Sequence, residues 1–286
     1  MATMRQIRSR IRVAKNIQQI TKAMKMVAAA RLKRAQERVQ SSRPYSQKMR
    51  QVMEDLARAA GSVEHPLLER RPVKHTGVLL ITANRGLAGS YNAAVIRRAQ
   101  DFLSSLDPST VRLYVVGKKG QAFFRRRGYT LAEAFVINEN AAGLGEAMDI
   151  ANRLQKQFVT GGIDELYVIY TRFQSALTQR PTVLKVLPIE PPQAEAVELP
   201  PDYIFEPQPG VLLGQLLPQY VVTQIHQALL ESVASEHGAR MTSMSSATDN
   251  AGKMISTLTL SLNRARQAGI TKEISEIVGG AEALKG

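Results

Sequence analysis

The 286-residue sequence has no cysteine and no tryptophan, and only 5% of it is aromatic. Without cysteine there are no disulfides, no thiolate metal sites and no thiol nucleophile, and a reducing compartment is permitted. Four histidines remain, His65, His75, His226 and His237. No two of them have the i, i+4 spacing of a helical zinc pair, so surface or packing histidines are expected and no metal is assigned. No apolar run approaches the roughly 18 residues that span a bilayer, and the N-terminus lacks the apolar core of a secretory signal, so a soluble or peripheral chain is expected. The phosphate-cradling pattern G-x-x-x-x-G-K-[ST] is missing, as are G-x-S-x-G and any carboxylate pair in an apolar setting. No enzyme chemistry is visible, and no cofactor is assigned.

What is present in excess is positive charge. The formal net charge is +14, and residues 1–50 carry fourteen Lys and Arg against one acid, Glu37. So lopsided a segment implies a partner surface that is acidic or rich in carbonyl oxygens, with nucleic acid as a rival partner. A basic, amphipathic start also suits a transit peptide, but its continuation into a long helical pattern argues against that.

From Ala2 to Arg43 there is neither proline nor glycine, and Val13, Ile17, Ile20, Met24 and Val27 alternate in steps of four and three. That is the spacing of a heptad seam, begun by Ile7 and Ile11. Pro44 is expected to kink or interrupt this helix, which resumes toward Ala60. The C-terminal segment repeats the pattern with Met241, Met244, Thr248, Ala251, Ile255, Leu258, Leu262 and Ala265. Two narrow seams at opposite ends, neither able to bury its stripe alone, predict an antiparallel coiled coil with a left-handed supercoil.

Between them the pattern changes to short apolar runs separated by helical stretches. Strands are expected at 77–83, 111–117, 131–137, 165–173 and 182–189, and helices from Ser90, over 118–127 and over 146–160. This alternation predicts an α/β fold, a Rossmann-like domain with a mostly parallel sheet, carried between the two helical arms. The expected division is 1–60 and 210–286 for the arms and 75–205 for the α/β domain, with seven prolines from Pro188 to Pro209 marking an extended return linker.

Two glycine-bearing turns invite a phosphate reading. NRGLAGSYN, residues 84–92, joins a strand to a helix, but Gly86 and Gly89 do not complete G-x-G-x-x-G, so a tight turn is the expected role. The basic turn at Gly117, Lys118, Lys119 and Gly120 is expected to be a solvated helix start. A nucleotide-dependent enzyme built on this domain and a nucleic-acid binder with a coiled-coil arm remain the rival readings. Neither rival has the stacking pattern of aromatic and basic residues, or the glycine pattern, that would identify it.

Six segments together resemble the ATP synthase gamma subunit: ITKAMKMVAAARL, TANRGLAGSYN, DELYVIY, LLPQY, ASEHGARMTSMSSATDNA and LNRARQAGITKEISEIVGGAEAL. They occur in family order and span essentially the whole chain. The resemblance implies a non-catalytic subunit of an enzyme complex, the proton-translocating ATP synthase, and within it the central rotor shaft. Its partners would be three alpha and three beta subunits, the epsilon subunit and the membrane c-ring, with one copy per complex and no nucleic acid. Its place would be peripheral, on the cytoplasmic face of a bacterial cell membrane. It implies interface roles for Met24 and Lys25, and for Arg240, Gln267, Thr271, Glu273 and Ser275 in a polar catch facing beta loops. Lys272 and Ser275 depart from the Gln and Thr of many relatives, which affects the hydrogen bonds of that catch.

Overall fold

The computed structural model describes residues 3–60, 64–137, 143–190, 206 and 208–283. Most of the proline-rich linker expected up to Pro209 lies outside the described residues. The chain divides into two compact units, one of residues 28–240 and one of residues 1–27 with 241–286. Two helices contribute to both, α1 (Met4–Ala60) and α5 (Pro209–Ala283). Pro44 lies within α1 without ending it. Arg43, Pro44 and Tyr45 are exposed there, so the Gln40 carbonyl left without a donor opens to solvent.

The larger unit contains a five-stranded sheet in the order β3-β2-β1-β4-β5. Its strands are β1 (Thr76–Ile81), β2 (Val111–Val116), β3 (Leu131–Phe135), β4 (Glu165–Phe173) and β5 (Gln179–Leu187). The first four are mutually parallel, joined through α2 (Tyr91–Leu103), α3 (Lys118–Arg126) and α4 (Leu144–Val159). All five expected strands are present. β5 runs antiparallel to β4 because only residues 174–178 join them, far fewer than a parallel crossover requires.

Every residue of β1 is buried, as a central strand covered on both faces must be. One face of the sheet, with Val78, Leu80, Leu113, Val115 and Ile169, packs against Val95, Ala99 and Leu103 of α2 and Phe124 of α3. Helix α5 meets β4, its Ser235 hydroxyl donating to the Thr171 carbonyl at 3.1 Å. Gln155 of α4 ties to α5 through the Pro218 carbonyl, 3.2 Å away. Residues 228–238 of α5 are consequently buried around the whole helix. Within this unit α1 buries Ala28, Leu32, Ala35, Val39, Met49, Met53 and Leu56, and Ser42 donates to Gln227 of α5 at 2.9 Å.

Entry to β4 is fixed by one carboxylate. Asp164, 6% exposed, accepts from the backbone amides of Lys74 and His75, both at 2.8 Å, and from Arg71 at 2.5 Å. Burial alone would raise its pKa, but these donors outweigh it and hold the carboxyl below the usual carboxylate range.

The smaller unit pairs residues 4–27 of α1 with the part of α5 beyond Arg240. Thr248 Oγ1 donates to Thr21 Oγ1 at 2.8 Å, and a side chain added at Gly252 would begin 3.1 Å from the Gln18 amide nitrogen. Because 248 faces 21 while 252 faces 18, the pairing is antiparallel, as expected. On α5 the seam follows the predicted spacing, with Met244 and Ala251 buried and Thr248, Ile255, Leu258, Leu262 and Ala265 half-buried.

On α1 the expected seam is corrected. Ile7, expected to begin the stripe, is buried and Ile11 and Met24 are half-buried, but Val13, Ile17, Ile20 and Val27 are 47–60% exposed, and Ala14 and Thr21 are buried in their place. Beyond Ile11 the buried stripe keeps the seven-residue repeat but shifts onto the smaller Ala14, Thr21 and Ala28. Close approach of two helix axes favours small side chains in the seam.

Candidate partner interface

The shifted seam leaves several of the larger aliphatic side chains between Val13 and Val27 uncovered. Val13, Ile17, Ile20, Met26 and Val27 stand at 47–60% exposure among Arg8, Arg10, Arg12, Lys15, Lys22 and Lys25, which are also exposed. None of these six cations forms an ion pair with another described residue. The surface is thus apolar and basic together, which fits a protein partner carrying both apolar and acidic groups.

The far part of α5 is similarly open. All of residues 271–280 are exposed, and Ile270, Ile274 and Ile277 recur at helical spacing beside Val278, at 49–71% exposure. An apolar stripe on a helix with no described neighbour needs a partner to cover it.

The residues assigned to the interface from the sequence fall in two places. Met24 is half-buried, Lys25 exposed, and Gln267, Thr271, Glu273 and Ser275 are exposed on α5. Thr271 Oγ1 donates to the Gln267 carbonyl at 3.0 Å, and Ser275 Oγ to the Thr271 carbonyl at 2.9 Å. Both hydroxyls are engaged with their own helix, and their free lone pairs remain available as acceptors. Lys272 and Glu276 approach to 3.5 Å with side chains 77% and 65% exposed, an i, i+4 pair worth only a few tenths of a kcal/mol.

Arg240 stands apart from the other six. It belongs to the larger unit and is 9% exposed. Its Nη2 is 2.6 Å from Glu236 Oε1 and donates to the Gly86 carbonyl at 3.2 Å, while Nη1 lies 3.3 Å from His237 Nδ1. Burial first, and then the nearby cations Arg240, Arg31 and Arg34, push the His237 pKa down to about 4. The imidazole is therefore neutral at pH 7, with Nδ1 accepting from Arg240. Burial also raises the pKa of the neighbouring Tyr91 phenol, further assisted by Glu236. Glu236, His237 and Gly86 carried no local signal of this role, because Arg240 and Gly86 are 154 positions apart.

The loop that Arg240 holds is the glycine-bearing turn 84–92. Asn92 Oδ1 accepts from the Ala83 amide at 3.0 Å, and Asn92 Nδ2 donates to the Arg85 carbonyl at 3.3 Å. Leu87 and Gly89 both take positive φ, 61° and 54°, to complete the turn. The loop is tied to β1, to α2 and to α5.

Uncovered apolar and basic faces on two long helices fit a chain built to pack against other chains. The ATP synthase family model matches residues 3–284, and the chain belongs to that family. An ATP synthase gamma chain from Pelotomaculum thermopropionicum is 48% identical over 285 residues, covering 100% of both chains. The gamma chain of Heliobacterium modesticaldum is 49% identical over 291 residues, covering 99% of this chain and 100% of the relative. Among solved structures, the central stalk and c-ring of the Tetrahymena thermophila mitochondrial ATP synthase contains a chain matching at a TM-score of 0.62 and 27% identity, over 80% of this chain and 99% of that one. A rotor chain of the Euglena gracilis mitochondrial ATP synthase matches at a TM-score of 0.67 over 93% and 98% of the two chains; at 19% identity it shows likeness of fold.

Proposed function

We propose that this chain is the central rotor subunit of an ATP synthase. Rotation of the shaft presents its different sides to the catalytic beta subunits, changing each subunit's affinity for ADP, phosphate and ATP in turn. Ion flow through the membrane ring drives this rotation during synthesis, and hydrolysis drives it in reverse. The partners in this reading are three alpha and three beta subunits, an epsilon subunit and the c-ring, with one copy of this chain per complex. No helix among the described residues is long and apolar enough to cross a membrane, so attachment at the cytoplasmic face of the cell membrane would run through the ring.

Family membership over nearly the whole chain supports the stalk role, and the uncovered stripe Ile270, Ile274, Ile277 and Val278 carries the interface reading. Gln267, Thr271, Glu273 and Ser275 lie on the same stretch of α5 and supply the polar contacts of the catch; Met24 and Lys25 supply those of α1. Arg240 serves this reading as an internal tie that sets where α5 meets loop 84–92. The working division remains two helical arms, 1–60 and 210–286, around an α/β domain at 75–205.

Gel filtration of the chain with its alpha and beta subunits tests this directly. The wild-type chain should co-elute with them, and Ile270→Asp combined with Ile277→Asp should elute separately while keeping its own helical content. Co-elution of the double variant at wild-type yield would remove the stripe from the interface.

A further inference from the structure

The two turns that the sequence leaves without a ligand role meet at one cleft. Asn84 and Asn92 from the first turn and Lys118 and Lys119 from the second line an open cavity of about 750 Å³ between α2 and α3. Arg97 of α2 and Arg126 and Arg127 at the end of α3 complete its rim. That makes five cations and no carboxylate among the lining residues. None of the five forms an ion pair with a described residue. Like charges gathered around one concavity repel one another, and an anion entering it relieves that repulsion.

We propose that this cleft binds a small phosphate-rich polyanion. The volume lies within the range of nucleotide-sized pockets, roughly 300 to 1,000 Å³. Ile96, Ala93, Ala122 and Phe123 give it an apolar wall against which a base or sugar can rest. Arg127 is held over the Phe123 ring at 4.6 Å, which orients its guanidinium without a carboxylate. Lys119 lies beside Gly86, where an added side chain would begin 3.8 Å from its Nζ. The lysine therefore joins the rim to the loop held by Arg240.

Recognition here differs in kind from a glycine-loop nucleotide site. The first amides of α3 are already engaged by the sheet: Lys118 N donates to Asn84 Oδ1, Lys119 N to the Ala83 carbonyl and Gly120 N to Thr82 Oγ1, at 3.0–3.2 Å. They are not free to cradle phosphate, so G-x-G-x-x-G is not needed. The anion is held by side-chain cations and by the amide groups of Asn92 and Gln100. This site lies wholly in the unit of residues 28–240 and stands independently of the stalk role.

Isothermal titration of the full chain with pyrophosphate and with ATP, both without Mg²⁺, tests the site. Saturable 1:1 binding is expected, weakened about tenfold by Lys118→Ala with Arg126→Ala, as loss of two exposed charge contacts implies. Arg10→Ala with Lys15→Ala, equally basic but distant in sequence and in the other unit, should bind as wild type. Flotation with phosphatidylglycerol vesicles separates the source of the phosphate. Vesicle binding that depends on Lys118 and Arg126, without pyrophosphate or ATP binding, would identify a lipid headgroup as the ligand. Absence of saturable binding in every arm, or equal weakening in both double variants, overturns the proposal.

Discussion

Arg240 of α5 donates to the Gly86 carbonyl oxygen at 3.2 Å, joining positions 154 residues apart in the chain. The same guanidinium is 2.6 Å from Glu236 Oε1, and Glu236 is 2% exposed. Replacing Arg240 by Ala removes the cation held against that buried carboxylate and one of the ties of loop 84–92. The expected cost is about 3 kcal/mol or more of unfolding free energy. Arg240→Lys should recover part of it, because one ammonium cannot reproduce the fork that reaches Gly86 and Glu236 together. Urea denaturation of the two variants against wild type measures both values.

His237 makes stability fall on acidification. Its folded pKa is depressed to about 4 from the ordinary histidine value of 6.5, so between these values the unfolded chain binds a proton that the folded chain refuses. The contribution is absent above pH 6.5 and grows as pH falls toward 4, reaching on the order of 3 kcal/mol of destabilisation. Glu236, Arg240, Arg31 and Arg34 surround this group, and the cations oppose its protonation. Asp164, whose pKa is also depressed, loses stability in the same direction but at lower pH. Chemical denaturation at pH 7.5 and pH 5 should show a smaller loss for His237→Gln than for wild type.

Gly117 has φ of +91°, and a Cβ added there would lie 2.1 Å from the Thr82 carbonyl oxygen. Neither the backbone angle nor the neighbouring strand can yield cheaply. Gly117→Ala should destabilise the chain by about 2 kcal/mol or more, combining strain and overlap. Calorimetry reads this as a lowered Tm; Gly128→Ala, at φ +80° with nothing within 4 Å, should lower it less.

The seam of the smaller unit yields a contrast between two kinds of variant. Ala14 is 2% exposed, and Ala14→Leu should cost about 1–3 kcal/mol through overpacking. Ile17 and Ile20 are 47% and 60% exposed, and changing them to Ser should move the stability of the isolated chain by only about 0.5 kcal/mol. Thermal melting followed by circular dichroism compares the two, and equal losses would return Ile17 and Ile20 to the seam.

The sheet was legible because β1, β2 and β4 are short apolar runs whose burial is a local property of their composition. β5 could be found but not its direction, which follows from the short connection to β4. The seam of α5 was legible for the same reason as the strands. The seam of α1 was not: Val13, Ile17 and Ile20 give the stronger apolar signal, yet the pairing selects Ala14 and Thr21 for their size. Large aliphatic residues left outside an intramolecular seam are what a surface made for another chain leaves in a sequence. Arg240 was visible as a motif residue, but its buried contacts depend on pairings made over long chain separations. Asp164 offered no sign that Lys74, His75 and Arg71 would converge on it.

The coupling role is tested most directly by the ATPase activity of the alpha and beta subunits, measured with and without this chain, while a probe fixed to the chain reports rotation. The account predicts hydrolysis that depends on the chain and ATP-driven turning of the probe in one direction. Neutralising Arg8, Lys22 and Lys25 should lower the yield of the complex or the torque on the probe. Hydrolysis equal in the two preparations, with a probe that never turns, would contradict the central claim.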